Sequence, residues 1–169
     1  KGEGGVGFRD MEAFNLALLA KQGWCLIHGV NSLFVKVFKA KYFPQGSFFE
    51  ANLGACPSFT WRSILAARLI LEAGSRWRIG CGNGVKAWSH RWIPKPISFK
   101  VVSPCVPGTE NLLVSDLIDF SCMKWSEALL SSYFMQHEID EICNIPLSGR
   151  AAQDKIVWHY SKNGAFSVK

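Results

Sequence analysis

Asp116 and Asp119 stand three residues apart, and paired carboxylates are how two-metal phosphoryl chemistry holds its ions. Such a site needs further acids converging on the same metals. This pair is flanked by Leu117 and Ile118, so it reads as the wet face of a short helix. His137-Glu138 begins like the zinc motif His-Glu-x-x-His, but Glu stands at position 141. The six cysteines (25, 56, 81, 105, 122 and 143) and the four histidines (28, 90, 137 and 159) are scattered. A zinc knuckle needs ligands paired about two to four residues apart; no two cysteines are so paired, and Cys25 with His28, three apart, has no second pair to join it. The expectation is free, partly buried thiols in a reducing compartment, no metal and no cofactor. Two glycine runs could cradle a phosphate. Gly2, Gly4 and Gly7 fit Gly-x-Gly-x-x-Gly, but no strand precedes them and no acid lies at Val30 to Ser32, so a flexible lead-in loop is expected. Gly80-Cys-Gly-Asn-Gly84 lacks the Lys-Ser/Thr of a phosphate loop and reads as a hairpin turn. Nothing resembles Gly-x-Ser-x-Gly. No catalytic residue emerges.

A different chemistry is written in the bases and rings. Trp77, Trp88 and Trp92 lie among Arg76, Arg78, Lys86 and Arg91. Aromatics interleaved with cations stack and neutralise single-stranded nucleic acid. They equally suit a small β layer that uses Trp as bulky core, and the pattern leaves both open. The net charge is +6, and its distribution is uneven: Lys21 to Lys100 holds twelve Lys or Arg against two acids, while Val101 to Lys169 holds five against eight. A basic block of this kind attracts a polyanion, nucleic acid before membrane. The alternative is an acidic surface on a neighbouring domain. The candidate nucleic-acid contacts are Lys36, Lys39, Lys41, Arg62, Arg76, Arg78 and Lys86.

The elements that must position these residues follow from periodicity. The chain has 169 residues, 49% hydrophobic and 19% charged, enough apolar side chain for a core and too few charges for a disordered tail. No apolar run approaches the ~18 residues of a membrane span. Without an initiator Met or a signal-peptide pattern, the sequence reads as an excised piece. Asp10 should cap a helix to about His28, with Met11, Phe14, Leu18 and Cys25 on its buried stripe and Leu19 and Trp24 beside it. A second helix is expected from Ser32 to about Tyr42, burying Leu33, Phe34, Val37 and Phe38 and exposing Lys36 and Lys39. A third, capped by Ser58 or Thr60, should run to Gly74. Arg76 to Ile79 and Val85 to Trp88 then alternate as a hairpin around the glycine turn. A proline-rich connector, a short helix or turn at 113–120, a helix at 126–134, a short turn at 138–143 and a last hairpin follow. In that hairpin Lys155 to Tyr160 pairs with Ala165 to Val168, with Ile156, Trp158, Phe166 and Val168 inside.

Several strings combine in order: Gly4-Gly-Val-Gly-Phe-Arg-Asp10, Phe14-Asn-Leu-Ala-Leu-Leu-Ala-Lys-Gln-Gly-Trp24, Lys39-Ala-Lys-Tyr-Phe-Pro44 and Pro57-Ser-Phe-Thr-Trp-Arg-Ser-Ile64. Trp77-Arg-Ile-Gly80, Trp88 to Pro94, Ile145-Pro-Leu147 and Trp158 to Lys169 continue them. The whole chain thereby resembles plant non-LTR (LINE-type) retrotransposon reverse transcriptase polyproteins, in the segment between the polymerase core and the zinc-binding reverse-transcriptase module. Two positions differ from the family pattern: Cys81 replaces an Asp after Trp-Arg-Ile-Gly, and Trp88-Ser-His-Arg-Trp92 lacks the acid of Trp-x-Asp-x-Trp.

The resemblance implies a role in reverse transcription without the chemistry, because the polymerase aspartates would precede Lys1 and the zinc ligands would follow Lys169. Ribonuclease H accompanies many members of the family. The expected fold class is α+β, a helical, thumb-like N-terminal half followed by β-hairpins and short helices. Three segments are expected: a helical one at 1–75, a basic Trp-rich hairpin with its connector at 76–110, and short helices leading into a truncated zinc-binding module at 111–169. The expected partners are template RNA or RNA–DNA hybrid, together with the neighbouring polymerase and zinc-binding modules, in an intracellular setting, nuclear or cytoplasmic. Lys and Arg should dominate such a contact, since A-form hybrids are gripped through phosphates and 2′-hydroxyls. The alternatives are a structural connector between the polymerase and ribonuclease H regions, or a non-functional pseudogene product.

Overall fold

Asp10 opens the first helix, its Oδ1 accepting the N–H groups of Glu12 and Ala13 at 3.0 and 3.2 Å. The structure is a computed structural model and describes residues 10–95, 98–147 and 152–168. The opening glycine run, read as a lead-in loop, lies outside the described residues. The chain divides into two units, residues up to Gly74 together with those from Ala165, and Ser75–Gly164. Helices and small antiparallel sheets make it α+β.

The first unit is helical. α1 (Met11–Ile27) and α2 (Leu33–Tyr42) start where a side-chain oxygen satisfies a first-turn donor, Ser32 Oγ doing so for Val35 at 3.3 Å. Ser58 repeats the device for Trp61 at 3.2 Å and opens α3 (Phe59–Ala66). The helix expected to run unbroken to Gly74 stops at Ala67, and α4 (Arg68–Gly74) begins anew. No Gly or Pro marks that break. Beyond it the Arg68 guanidinium donates to the carbonyls of Phe49 and Ala51, the latter at 2.7 Å, and pairs with Glu72 at 3.4 Å. At the centre lies Trp61, fully buried, stacked on Tyr42 with centroids 4.5 Å apart and flanked by Phe38, Phe43 and Phe48.

The buried faces differ from expectation. On α1 the core side is Ala20, Gly23, Trp24 and Leu26, whereas Met11 is 74% exposed and Leu18 44%. Gly23 explains the shift: a Cβ there would sit 2.8 Å from Leu71 Cδ1, so α1 approaches its neighbours through a residue with no hydrophobic signal. On α2 Val35 is buried and Phe34 and Phe38 half-buried, while Leu33 and Val37 stand 78% and 50% exposed. Phe166 reaches this unit's core, and Lys21 Nζ donates to its carbonyl at 2.8 Å.

The second unit corrects both expected hairpins. β1 (Ser75–Arg78) pairs antiparallel with β4 (Lys155–Trp158), Ser75 opposite Trp158 and Arg78 opposite Lys155. The two strands expected to lead separate hairpins thus pair with each other. Val85 to Trp88 forms no strand and contributes one bridge, Lys86 to Leu113, and residues 165–168 form none. Within β4 the buried residue is Val157, with Ile156 and Trp158 half-buried. β2 (Ile118–Asp119) and β3 (Lys124–Trp125) make a minimal hairpin, and α5 (Glu127–Tyr133) and α6 (Gln136–Cys143) follow it. The core joins Ile79, Val85, Trp92, Leu117, Trp125, Leu130 and Ile142.

Candidate nucleic-acid interface

In the first unit, α2 and α3 together carry Lys36, Lys39, Lys41 and Arg62 and no acid. All four are exposed. Among the described residues the ion pairs are Arg68–Glu72 and Lys95–Glu141, so none of these four is neutralised by a carboxylate. The acid lying between the two helices in sequence, Glu50, is engaged by the Ser47 N–H at 2.9 Å and the Ser47 hydroxyl at 3.1 Å. Lys41 Nζ sits 5.2 Å from the Tyr42 ring centroid. Positive charge therefore stands uncompensated on short, capped helices.

In the second unit the candidates divide by environment. Arg78 is exposed at the end of β1. Directly across the strand pair is Lys155, also exposed, and like charges placed opposite each other repel. A phosphate between them would relieve that repulsion. Lys155 was missed because only the distant strand pairing brings it beside Arg78. Arg76 is half-buried; its Nε donates to His159 Nδ1 at 3.3 Å and its Nη1 to the Trp77 carbonyl. Burial, and then the Arg78 charge, lower its pKa from the ordinary arginine value. Burial and the Arg76 charge likewise lower that of His159, which favours the neutral ring whose Nδ1 accepts from the guanidinium. Lys86 is exposed and donates to Asn111 Oδ1 at 3.2 Å.

Trp92 is core, and Trp77 and Trp88, half-buried, pack against it. Trp92 is fully buried, donates to the Ala87 carbonyl at 2.9 Å and stacks on Trp125. Trp88 donates to the Thr109 carbonyl at 2.8 Å and packs against Phe134, and Trp77 stacks on His90. The indole N–H groups of Trp88 and Trp92 are satisfied from within, and Trp77 packs against the same core, which favours the packing reading of these rings.

The glycine turn is occupied by the protein itself. Asp154 Oδ1 accepts the N–H groups of Gly80 and Gly82 at 2.7 and 2.8 Å, and its Oδ2 accepts that of Gly84 at 3.0 Å. A carboxylate thus fills the nest that an anion would take. A Cβ on Gly80 would stand 2.1 Å from the Ala152 carbonyl oxygen, so only glycine fits there.

The carboxylates that resembled a catalytic pair serve their own turns. Asp116 accepts from the Leu113 N–H at 2.9 Å within a 3₁₀ turn, and Asp119, in β2, accepts from Ser121. The single helix face that their spacing predicts is therefore absent, because the chain passes from a 3₁₀ turn into a strand between them. Hydrogen bonds from Ser121 hold Asp119 below the usual carboxylate value. Among the described residues no three His, Cys, Asp or Glu side chains gather as metal ligands would. The six cysteines are free, with Cys25 and Cys81 partly buried and the other four exposed. No helix among the described residues is long and apolar enough to cross a membrane.

Two proteins of Arabidopsis thaliana are similar to the chain. One, an uncharacterised mitochondrial protein, is 44% identical over 91 residues, covering 54% of this chain and 59% of that protein. The other, provisionally named a ribonuclease H protein, is 28% identical over 182 aligned positions, which cover 100% of this chain and 28% of that protein. The chain therefore spans between about a quarter and three-fifths of the relatives' lengths. No protein-family model matches the sequence. No solved structure matches it either.

Proposed function

We propose that the chain is a non-catalytic segment of a retroelement reverse-transcriptase polyprotein, holding template RNA or RNA–DNA hybrid beside a polymerase site located elsewhere. The carrying observation is the set Lys36, Lys39, Lys41 and Arg62, exposed on acid-free helices without an ion pair among the described residues. Arg78 and Lys155 add a second basic pair on the other unit. Similarity across the whole chain to a protein provisionally named for ribonuclease H supports a nucleic-acid partner. The segment's place between polymerase and zinc-binding modules belongs to this proposal. A connector that docks on neighbouring protein is the second reading, favoured by the exposed Leu33 and Val37 on α2.

Filter binding to an RNA–DNA hybrid tests the reading. The parent should bind, and reversing charge at Lys36, Lys39 and Arg78 (each to Glu) should weaken binding to all sequences alike, because phosphate contacts position rather than read. Absence of salt-dependent binding by the folded parent would leave the connector reading in its place.

A further inference from the structure

Phe59, in the first turn of α3, is 85% exposed. A lone exposed apolar side chain is ordinary, but the setting of this one is not. Ser58 N–H donates to Tyr42 Oη at 3.1 Å, and the Tyr42 hydroxyl donates to Ser58 Oγ at 3.0 Å, tying the end of α2 to the start of α3. Lys41, whose Nζ sits 5.2 Å from the Tyr42 ring centroid, and Phe59 are the sequence neighbours of the bonded pair at this corner. Arg62 lies three residues beyond Phe59 on the same helix, so the two share a face. The corner is firmly seated, since the Tyr42 ring lies parallel to buried Trp61 within 4° and Ser58 also caps α3. The result is an exposed aromatic ring on a held backbone, with exposed Arg62 on the same helix face and exposed Lys41 next in sequence to the tyrosine that ties the backbone, on helices without an acid.

We infer that Phe59 is a stacking platform for an unpaired base, with Lys41 and Arg62 taking the adjacent phosphates. This rests on the nucleic-acid reading and narrows it to a single strand. A paired hybrid keeps its base faces inside the stack and offers phosphate and sugar, whereas an unpaired strand offers π-faces of every sequence. The charge of the corner selects a polyanion over an apolar protein partner. The first unit is thereby assigned to template strand that has not yet been paired.

The test is fluorescence anisotropy of the full chain with labelled oligouridine of about 12 nucleotides and with an RNA–DNA hybrid of the same length. Phe59→Ala should lower oligouridine affinity roughly 5- to 100-fold and leave hybrid affinity unchanged, while Phe59→Trp retains single-strand binding. Lys41→Ala with Arg62→Ala should weaken oligouridine binding and reduce its salt dependence. Should Phe59→Ala melt early by circular dichroism, Phe59→Leu takes its place, keeping apolar bulk without a π-face. Unchanged oligouridine affinity in the folded Ala or Leu variant, or loss in the Trp variant equal to that in Ala, overturns the inference. A parent that binds hybrid but not oligouridine removes the platform and leaves the broader reading standing. A parent that binds neither removes both.

Discussion

Asp154 shows how one side chain can decide a local fold. Its two oxygens take three backbone donors, so Asp154→Ala should cost about 3 kcal/mol or more, since each donor loses a charge-assisted partner. Asp154→Asn retains an acceptor for Gly80 and Gly82 while its amide opposes the Gly84 N–H, so the loss should be smaller. Urea denaturation of the two variants checks that order, and equal losses would mean the bonds are not what matters. Glu138 is the buried counterpart. Burial alone would raise its pKa, but the Ser103 hydroxyl and the N–H groups of Val102 and Ser103 donate to it and hold it below the ordinary 4.5. A depressed carboxylate binds fewer protons folded than unfolded. Its contribution is therefore present above about pH 4.5 and lost as pH falls through the depressed value. Glu138→Gln should be less stable than the parent at neutral pH, with the gap closing in acid. Urea midpoints followed across that range measure it, and a gap independent of pH would exclude an ionised Glu138.

Among the elements, α3 carries the first unit's core through Trp61, whose ring meets Tyr42, Phe43 and Phe48 and whose Nε1 donates to the Asn52 carbonyl at 3.3 Å. Trp61→Ala should cost about 3–5 kcal/mol, and Trp61→Phe less, in chemical denaturation followed by circular dichroism. A loss below about 1 kcal/mol for the Ala variant would contradict the packing described, given the usual cost of emptying such a site. The capped helices were legible because cap and donor lie close in sequence, as at Asp10, Ser32 and Ser58. The end of α3 at Ala67 was not, because the hydrogen bonds Arg68 makes beyond it are tertiary. The strand partners were hidden for a related reason. Arg76 to Ile79 sits beside a glycine turn that offers a local partner, and nothing in that alternation points to Lys155–Trp158. The candidate cations were legible as residues, but not their surroundings: Arg76 turns inward to His159, and Arg78 faces Lys155, a residue outside the candidate set, only through the long-range pairing.

For the molecule as a whole, a net charge of +6 makes the ionic strength of the medium the variable that should govern binding. If about four to six phosphates are neutralised, log affinity should fall against log salt with a slope of roughly −3 to −5. Titration of hybrid at several salt concentrations measures it, and a flat line would mean that phosphate contacts do not hold the ligand. The pairing of β1 with β4 also bears on how the protein comes into being. A ribosome finishes β1 early, yet its partner strand and Asp154 are among the last residues of the second unit to be translated. Until then β1 presents open edge donors and acceptors, and the glycine turn has no counter-charge. Closing so long a loop is slow, leaving time for nascent chains to pair with one another or meet a protease. A stop codon only a few positions before Asp154 would therefore remove far more than the residues it deletes, because the entire second unit would be born without the strand that closes it.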